Sequence, residues 1–316
     1  MPLLPKVDAM TLPEQPKNGQ PRLVLHLGAH RTGSTSLQAC LHQNRPVLSA
    51  AAIGYWGPAA LRRGRFPGLY KSFNPGEDPA AQAAETREII ATNREIFRRR
   101  LKNQRGMGHR HLMVSDENLL GDMQLNLARG CLYQNADDRL ALLAGVFGTG
   151  FAKIALSIRR QEAYWPSLIA YRIAHGAAAP GPEKLAALAG QNHGWREVIS
   201  AVRRQFPVSQ ILVFEFDGWA ARPDLLVGEL MRGAVALPAL AHNPRANAAL
   251  DRAALYALAC ARGDAESARL IGNSSGVFQP FSRAQRHSLA EQYIADQAWL
   301  GQESCHGISY FPQHFG

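Results

Sequence analysis

The stretch from Arg22 to Leu41 constrains the fold of this chain more than any other. Arg22-Leu23-Val24-Leu25-His26-Leu27 is short and apolar, which predicts a buried strand. A loop with glycines at Gly28 and Gly33 follows, and Leu37, Cys40 and Leu41 then fall at helical spacing until Pro46 ends the run. Strand, glycine loop and helix in that order make a crossover unit, whose helix has to pack back onto a sheet. Three more short apolar runs repeat the theme. Leu112 to Ser115 ends in Asp116-Glu117, Ile154 to Ile158 ends in Arg159-Arg160, and Ile211 to Phe216 ends in Asp217. Helical patterns at 78–105, 138–146, 161–175 and 183–205 separate or follow them. The alternation predicts an α/β protein of three layers, α/β/α, with a central, mainly parallel sheet covered on both faces. In such sheets ligands bind where the strands end, and that is where the polar residues gather.

From about residue 218 the pattern is mainly helical. Helices are expected over 223–231 and 246–263, and Ser282-Arg283-Ala284-Gln285 reads as a capping box opening a last helix with Leu289, Tyr293 and Leu300 on one face. The segments 54–76 and 272–280, rich in turn-forming residues, are expected to be mostly loop. Residues 1–20 carry four prolines and no apolar block and read as a loose tail, which leaves 21–316 as one domain.

The 316 residues are 46% hydrophobic, which excludes wholesale disorder, and no apolar run approaches the ~20 residues of a membrane span. The four cysteines are scattered without metal-type spacing, so no structural metal site and no disulfide framework are expected, and the cytoplasm is the default compartment. Lys+Arg exceeds Asp+Glu by 35 − 25, a formal net charge of +10. No long basic tail or nucleic-acid module accompanies it, which weakens a nucleic-acid reading and leaves open a small anionic ligand or a basic solvated surface.

The glycine loop carries the sharpest chemistry. Turned backbone N–H groups and a helix N-terminus form a cradle for phosphate-like anions. Gly28 and Gly33 stand five apart, as in a nucleotide-triphosphate loop, but Ser34 occupies the place where that motif needs lysine. The cation lies instead at Arg31, among His30, Thr32, Ser34, Thr35 and Ser36.

The run His26-Leu27-Gly28-Ala29-His30-Arg31-Thr32-Gly33-Ser34-Thr35-Ser36-Leu37-Gln38 resembles the 5′-phosphosulfate loop of sulfotransferases that use 3′-phosphoadenosine 5′-phosphosulfate (PAPS), and is most similar to bacterial members related to the carbohydrate sulfotransferases. The departure is Arg31 where the family has lysine. The family's 3′-phosphate signature is a strand ending in arginine with a serine eight residues on, and Arg159 and Ser167 match it. Looser likenesses, including Asn243 to Asn247 and the helix around Tyr293, Asp296 and Trp299, extend the resemblance over roughly 21–300, and Arg245 is the one substitute for the family's closing basic loop. The resemblance implies the P-loop-like sulfotransferase fold and sulfuryl transfer from PAPS to a hydroxyl or amine of a carbohydrate or other small metabolite, with no metal required. It implies PAPS contacts from Gly28, His30, Arg31, Thr32, Gly33, Ser34, Thr35, Ser36, Arg159 and Ser167, with Arg31 and Glu117 catalytic.

Arginine holds its proton in proteins, so Arg31 can stabilise charge on a leaving oxygen but not donate to it. Glu117 is expected as the acceptor's base, with burial raising its pKa, and Asp116 is the second choice. His26 reads as a packed core residue. Two other readings stay open: a P-loop kinase or nucleotide hydrolase, with Asp116 holding magnesium, and a non-catalytic binder of nucleotides or anionic glycans.

Overall fold

The computed structural model describes residues 19–74, 76–239, 250–303 and 307–312. Strand β1 (Arg22–His26) and helix α1 (Ser34–Gln43) flank the glycine loop as expected. Pro46 sits in the first turn of a second helix, α2 (Arg45–Ala50), where its missing N–H is no loss. Strand β2 (Ile53–Trp56) and the turn α3 (Pro58–Leu61) correct the expectation of loop at 54–76, the rest of which is irregular. Helix α4 (Pro79–Gly106) starts where the Asp78 carboxylate accepts from the Ala80 and Ala81 amides. Strand β3 (His111–Ser115) leads through one 3₁₀ turn at Glu117–Leu119 to α5 (Met123–Arg129) and α6 (Ala136–Phe147). Strand β4 (Lys153–Ile158) feeds α7 (Gln161–Ala174).

The helix expected over 183–205 is two, α8 (Pro182–Gly190) and α9 (Trp195–Gln205). Strand β5 (Gln210–Glu215) ends one residue early because Phe216 opens the turn α10 (Phe216–Trp219). Helices α11 (Pro223–Met231), α12 (Arg252–Ala261), α13 (Ala265–Ile271) and α14 (Arg283–Glu303) make the C-terminal part helical. The Ser282–Gln285 capping box forms as read, each residue's side chain accepting from the other's amide. A strand that the pattern did not announce, β6 (Ile308–Phe311), follows. The helix expected from 246 starts at Arg252, and residues 246–249 and Arg245 lie outside the described residues. No described helix is long and apolar enough to cross a membrane.

The six strands form one sheet in the order β2-β3-β1-β4-β5-β6, and every pairing is parallel. Side chains alternate between its faces. Leu23 and Leu25 of β1, Leu112 and Val114 of β3, and Ile154, Leu156 and Ile158 of β4 enter one core with α4, α6, α7, α9 and α14. Val24, Met113, Ala155, Leu212 and Phe214 enter the other, with α1, α2 and α11. This is the three-layer α/β/α arrangement, with an all-parallel sheet. The chain leaves β1 toward β2 on one side and leaves β4 toward β5 on the other, although β1 and β4 are neighbours. The loops after these two strands therefore diverge and open a crevice at the carboxyl edge.

Candidate functional site

A cavity of about 980 Å³ occupies that crevice. It falls within the size range of small-molecule and cofactor pockets. Its lining includes His30, Arg31, Gly33, Ser34, Thr35 and Ser36 from the glycine loop and α1, and Arg159 and Ser167 from the end of β4 and from α7. Glu117 joins them. Two expected ligands do not line it. Gly28 is the hinge of the loop: at φ +93°, a Cβ there would stand 2.7 Å from the Glu117 Cβ. Thr32 is buried and spends its hydroxyl on the Ala29 carbonyl at 2.7 Å.

Backbone pairing explains how the loop reaches β4. Beyond the strand proper, the Leu27 amide donates to the Ala155 carbonyl (2.9 Å) and the Ala29 amide to the Ser157 carbonyl (3.1 Å). The loop then turns at Arg31, whose φ of 60° is left-handed and costs a non-glycine residue on the order of 1–2 kcal/mol. The Arg31 Nε donates to Ser167 Oγ at 3.0 Å, and its guanidinium lies 5.0 Å from the centre of the Tyr171 ring. Arg159 donates from Nη1 to the Arg31 carbonyl at 3.0 Å and stacks on Phe216 at 4.3 Å. Arg31 was expected at one end of a bound nucleotide and Arg159 with Ser167 at the other. The structure brings all three into one cluster. Ser167 shares α7 with Pro166, and the Glu162 carbonyl that Pro166 cannot pair accepts from Gln279 Nε2 at 3.2 Å.

Neither Arg31 nor Arg159 forms an ion pair among the described residues, whereas the neighbouring Arg160 does, with Asp217 at 2.9 Å. Burial lowers the Arg31 pKa. Burial, and then the charge of Arg31, lowers Arg159 to about 10. The Arg159 Nε is buried without a hydrogen-bond partner. Both groups stay charged near neutrality, so the cavity wall holds two adjacent cations that no carboxylate contacts among the described residues, although Asp217 acts on Arg159 from farther off.

Glu117 departs from expectation. Burial does push its carboxyl up, but the field of His30, a backbone amide, Gln38 and Arg62 together outweigh that and leave it below the ordinary carboxylate range. Gln38 Nε2 donates to Oε2 at 2.7 Å and Arg62 Nη2 to Oε1 at 2.9 Å. Asp116 is 0% exposed and does not line the cavity. It takes Arg62 through both carboxylate oxygens (2.9 and 2.6 Å) and the Tyr70 hydroxyl at 2.7 Å. His30 spends its ring nitrogens on Tyr133 and Asn118, both at 2.8 Å, and burial lowers its pKa, so it faces the cavity as a tethered imidazole. His26 bonds Ser115 at 2.9 Å and is lowered to about 4, chiefly by burial, as a core histidine should be.

Gln38, the Arg62–Asp116 pair, Tyr171 and Phe216 went unassigned in the sequence. The last had a signal: Ile158 is in register with Glu215, which sets Arg159 beside Phe216 once β4 and β5 are known to pair. Arg62 had none, since it meets Asp116 only through the fold. Among protein-family models, curated proteins and solved structures, none matches this chain.

Proposed function

We propose that the chain transfers a sulfuryl group from PAPS to an acceptor hydroxyl or amine. One observation carries the reading: Arg31 and Arg159, adjacent and largely buried, form no ion pair among the described residues and line a nucleotide-sized cavity. Like charges held close together and partly out of water favour an anion that joins them, and two guanidinium forks suit a ligand with phosphate and sulfonate groups. The orphaned Arg159 Nε fits the same ligand. So does the N-terminus of α1, whose cap, Gly33, supplies no side-chain acceptor.

In the reaction, the acceptor oxygen bonds to sulfur as the sulfur–oxygen bond to the 5′-phosphate breaks. The electron pair stays on the leaving phosphate oxygen, and the hydroxyl proton passes to the Glu117 carboxylate. Arg31 opposes the charge growing on the leaving oxygen without donating a proton. The terminal nitrogens of Arg31 make no hydrogen bond among the described residues and are the groups for this role. A kinase or hydrolase is the weaker reading, because Asp116 is already neutralised by Arg62. A non-catalytic nucleotide binder is favoured by one fact: Glu117 is a weak base.

Calorimetry with 3′-phosphoadenosine 5′-phosphate and ADP tests the binding half. The former should bind about tenfold or more tighter, the worth of a charge-assisted contact, and Arg159→Ala should erase most of that difference. Equal affinities in the unaltered protein would sink the assignment. Arg31→Ala should fold normally by circular dichroism yet move no label from [³⁵S]PAPS to an acceptor panel. Turnover by that variant excludes the proposed role, and tight binding without turnover in the unaltered protein favours the binder.

A further inference from the structure

A second cavity, of about 300 Å³, lies beside the first between the segment 70–73, the turn after β3, and α5. His30 and Met123 line both, so the two chambers share a wall. Its own wall carries three cations, Lys71, Arg129 and Arg139, against one carboxylate, Asp122. Lys71 is paired with Glu85, and Asp122 is spent capping α5 through the Gln124 amide at 2.8 Å. The two arginines form no ion pair among the described residues, and their hydrogen bonds go to backbone carbonyls, with Arg139 also lying 6.0 Å from the centre of the Tyr70 ring and within the field of Asp116. Arg129 Nη2 donates to the Phe73 carbonyl at 2.8 Å; Arg139 donates from Nη1 to the Leu69 (2.8 Å) and Lys71 (2.9 Å) carbonyls and from Nη2 to those of Asn118 (3.2 Å) and Leu119 (3.4 Å). Arg139 is 4% exposed, and its Nε has no partner. A buried guanidinium with no carboxylate in contact is electrostatically incomplete. Ser72, Gln124 and Gln134 add neutral hydrogen-bonding groups to the same wall.

We infer that this second chamber binds a small hydroxylated carboxylate, its anionic end on the arginine side and its hydroxyls among the amide and hydroxyl side chains. The volume suits one molecule of monosaccharide size and is too small for the nucleotide proposed for the first chamber. If the sulfuryl-transfer reading holds, on which this last step rests, the occupant is the acceptor, presenting a hydroxyl across the His30–Met123 wall.

The test uses the full chain with gluconate, sorbitol and inorganic phosphate as probes, in the presence and absence of 3′-phosphoadenosine 5′-phosphate. Gluconate should bind about tenfold or more tighter than sorbitol, its neutral counterpart, and tighter than inorganic phosphate. Arg139→Met removes a group that also holds two segments and need not fold, so Arg129→Gln is the deciding variant. It should weaken gluconate severalfold while changing nucleotide affinity less than twofold. Gluconate binding no better than sorbitol, binding indifferent to Arg129, or phosphate bound as well as gluconate each overturns the inference. Failure of the nucleotide alone to bind removes the sulfotransferase reading and leaves an Arg129-dependent gluconate site standing.

Discussion

Arg62 shows how one side chain can set the state of two others. Its guanidinium bridges Asp116, which is buried completely, and Glu117, which faces the cavity. Without it Asp116 would keep only the Tyr70 hydroxyl and the Asn118 amide, too little for a buried charge. Arg62→Met should therefore destabilise the fold by about 3–5 kcal/mol, the usual cost of orphaning a buried ion, as read by urea unfolding at pH 7. The same change should raise the Glu117 pKa, because Arg62 is one of the groups that lowers it. The linkage has a definite sign. A carboxylate whose folded pKa lies below its unfolded value contributes stability above the unfolded pKa of about 4.3 and loses it as pH falls through the folded one. In the variant the Glu117 part of that loss should be smaller and complete at a higher pH, since its upper end is set by the unchanged unfolded pKa. Carbon-13 titration of the Glu117 carboxyl checks this, and an unchanged midpoint would mean that Arg62 does not govern it.

At the scale of elements, the glycine loop, α4 and the capping box of α14 were legible because each carries its own local signal. The break between α8 and α9 was not. Part of its cause sits far away in sequence: Asp296, on α14, accepts the Trp195 and Arg196 amides at 2.9 and 3.1 Å and so caps α9 from outside, beside the local Glu197 carboxylate that accepts the Gly194 amide at 2.7 Å. Gly194 leaves room for it, since a Cβ there would stand 2.7 Å from Asp296 Oδ2. The likeness of the segment around Asp296 to a family helix thus falls on a residue with a structural task. Asp296→Ala should cost about 1–3 kcal/mol through the lost cap and the Gln161 bond, with nucleotide affinity unchanged. An affinity loss without destabilisation would place Asp296 in the binding machinery instead. Strands β2 and β6 escaped notice because four residues each, at the sheet edges, carry too little alternation to read.

The whole molecule adds what no motif contains, the order of strands. The sequence announced a parallel sheet and polar strand ends, but only the divergence of the loops after β1 and β4 gathers Arg31, Arg159 and Ser167 on one wall. The gathering was legible as residues and illegible as geometry, which is why Arg31 and Ser167 were expected apart and touch. Net charge also acts at this scale. On the proposed reading, a chain of +10 draws anions from a distance, while the arginine pair holds them once docked. The two effects separate by salt. The Debye length shrinks from about 30 Å at 0.01 M to about 8 Å at 0.15 M, so long-range steering fades while a partly buried contact is screened much less. Stopped-flow binding of 3′-phosphoadenosine 5′-phosphate over that range should therefore show an association rate that falls severalfold and a dissociation rate that changes little. Arg159→Ala should reverse the emphasis, raising dissociation and leaving the salt slope of association nearly intact. A dissociation rate that climbs with salt as steeply as association falls would mean that the ligand rests on exposed surface charge and not on the buried pair.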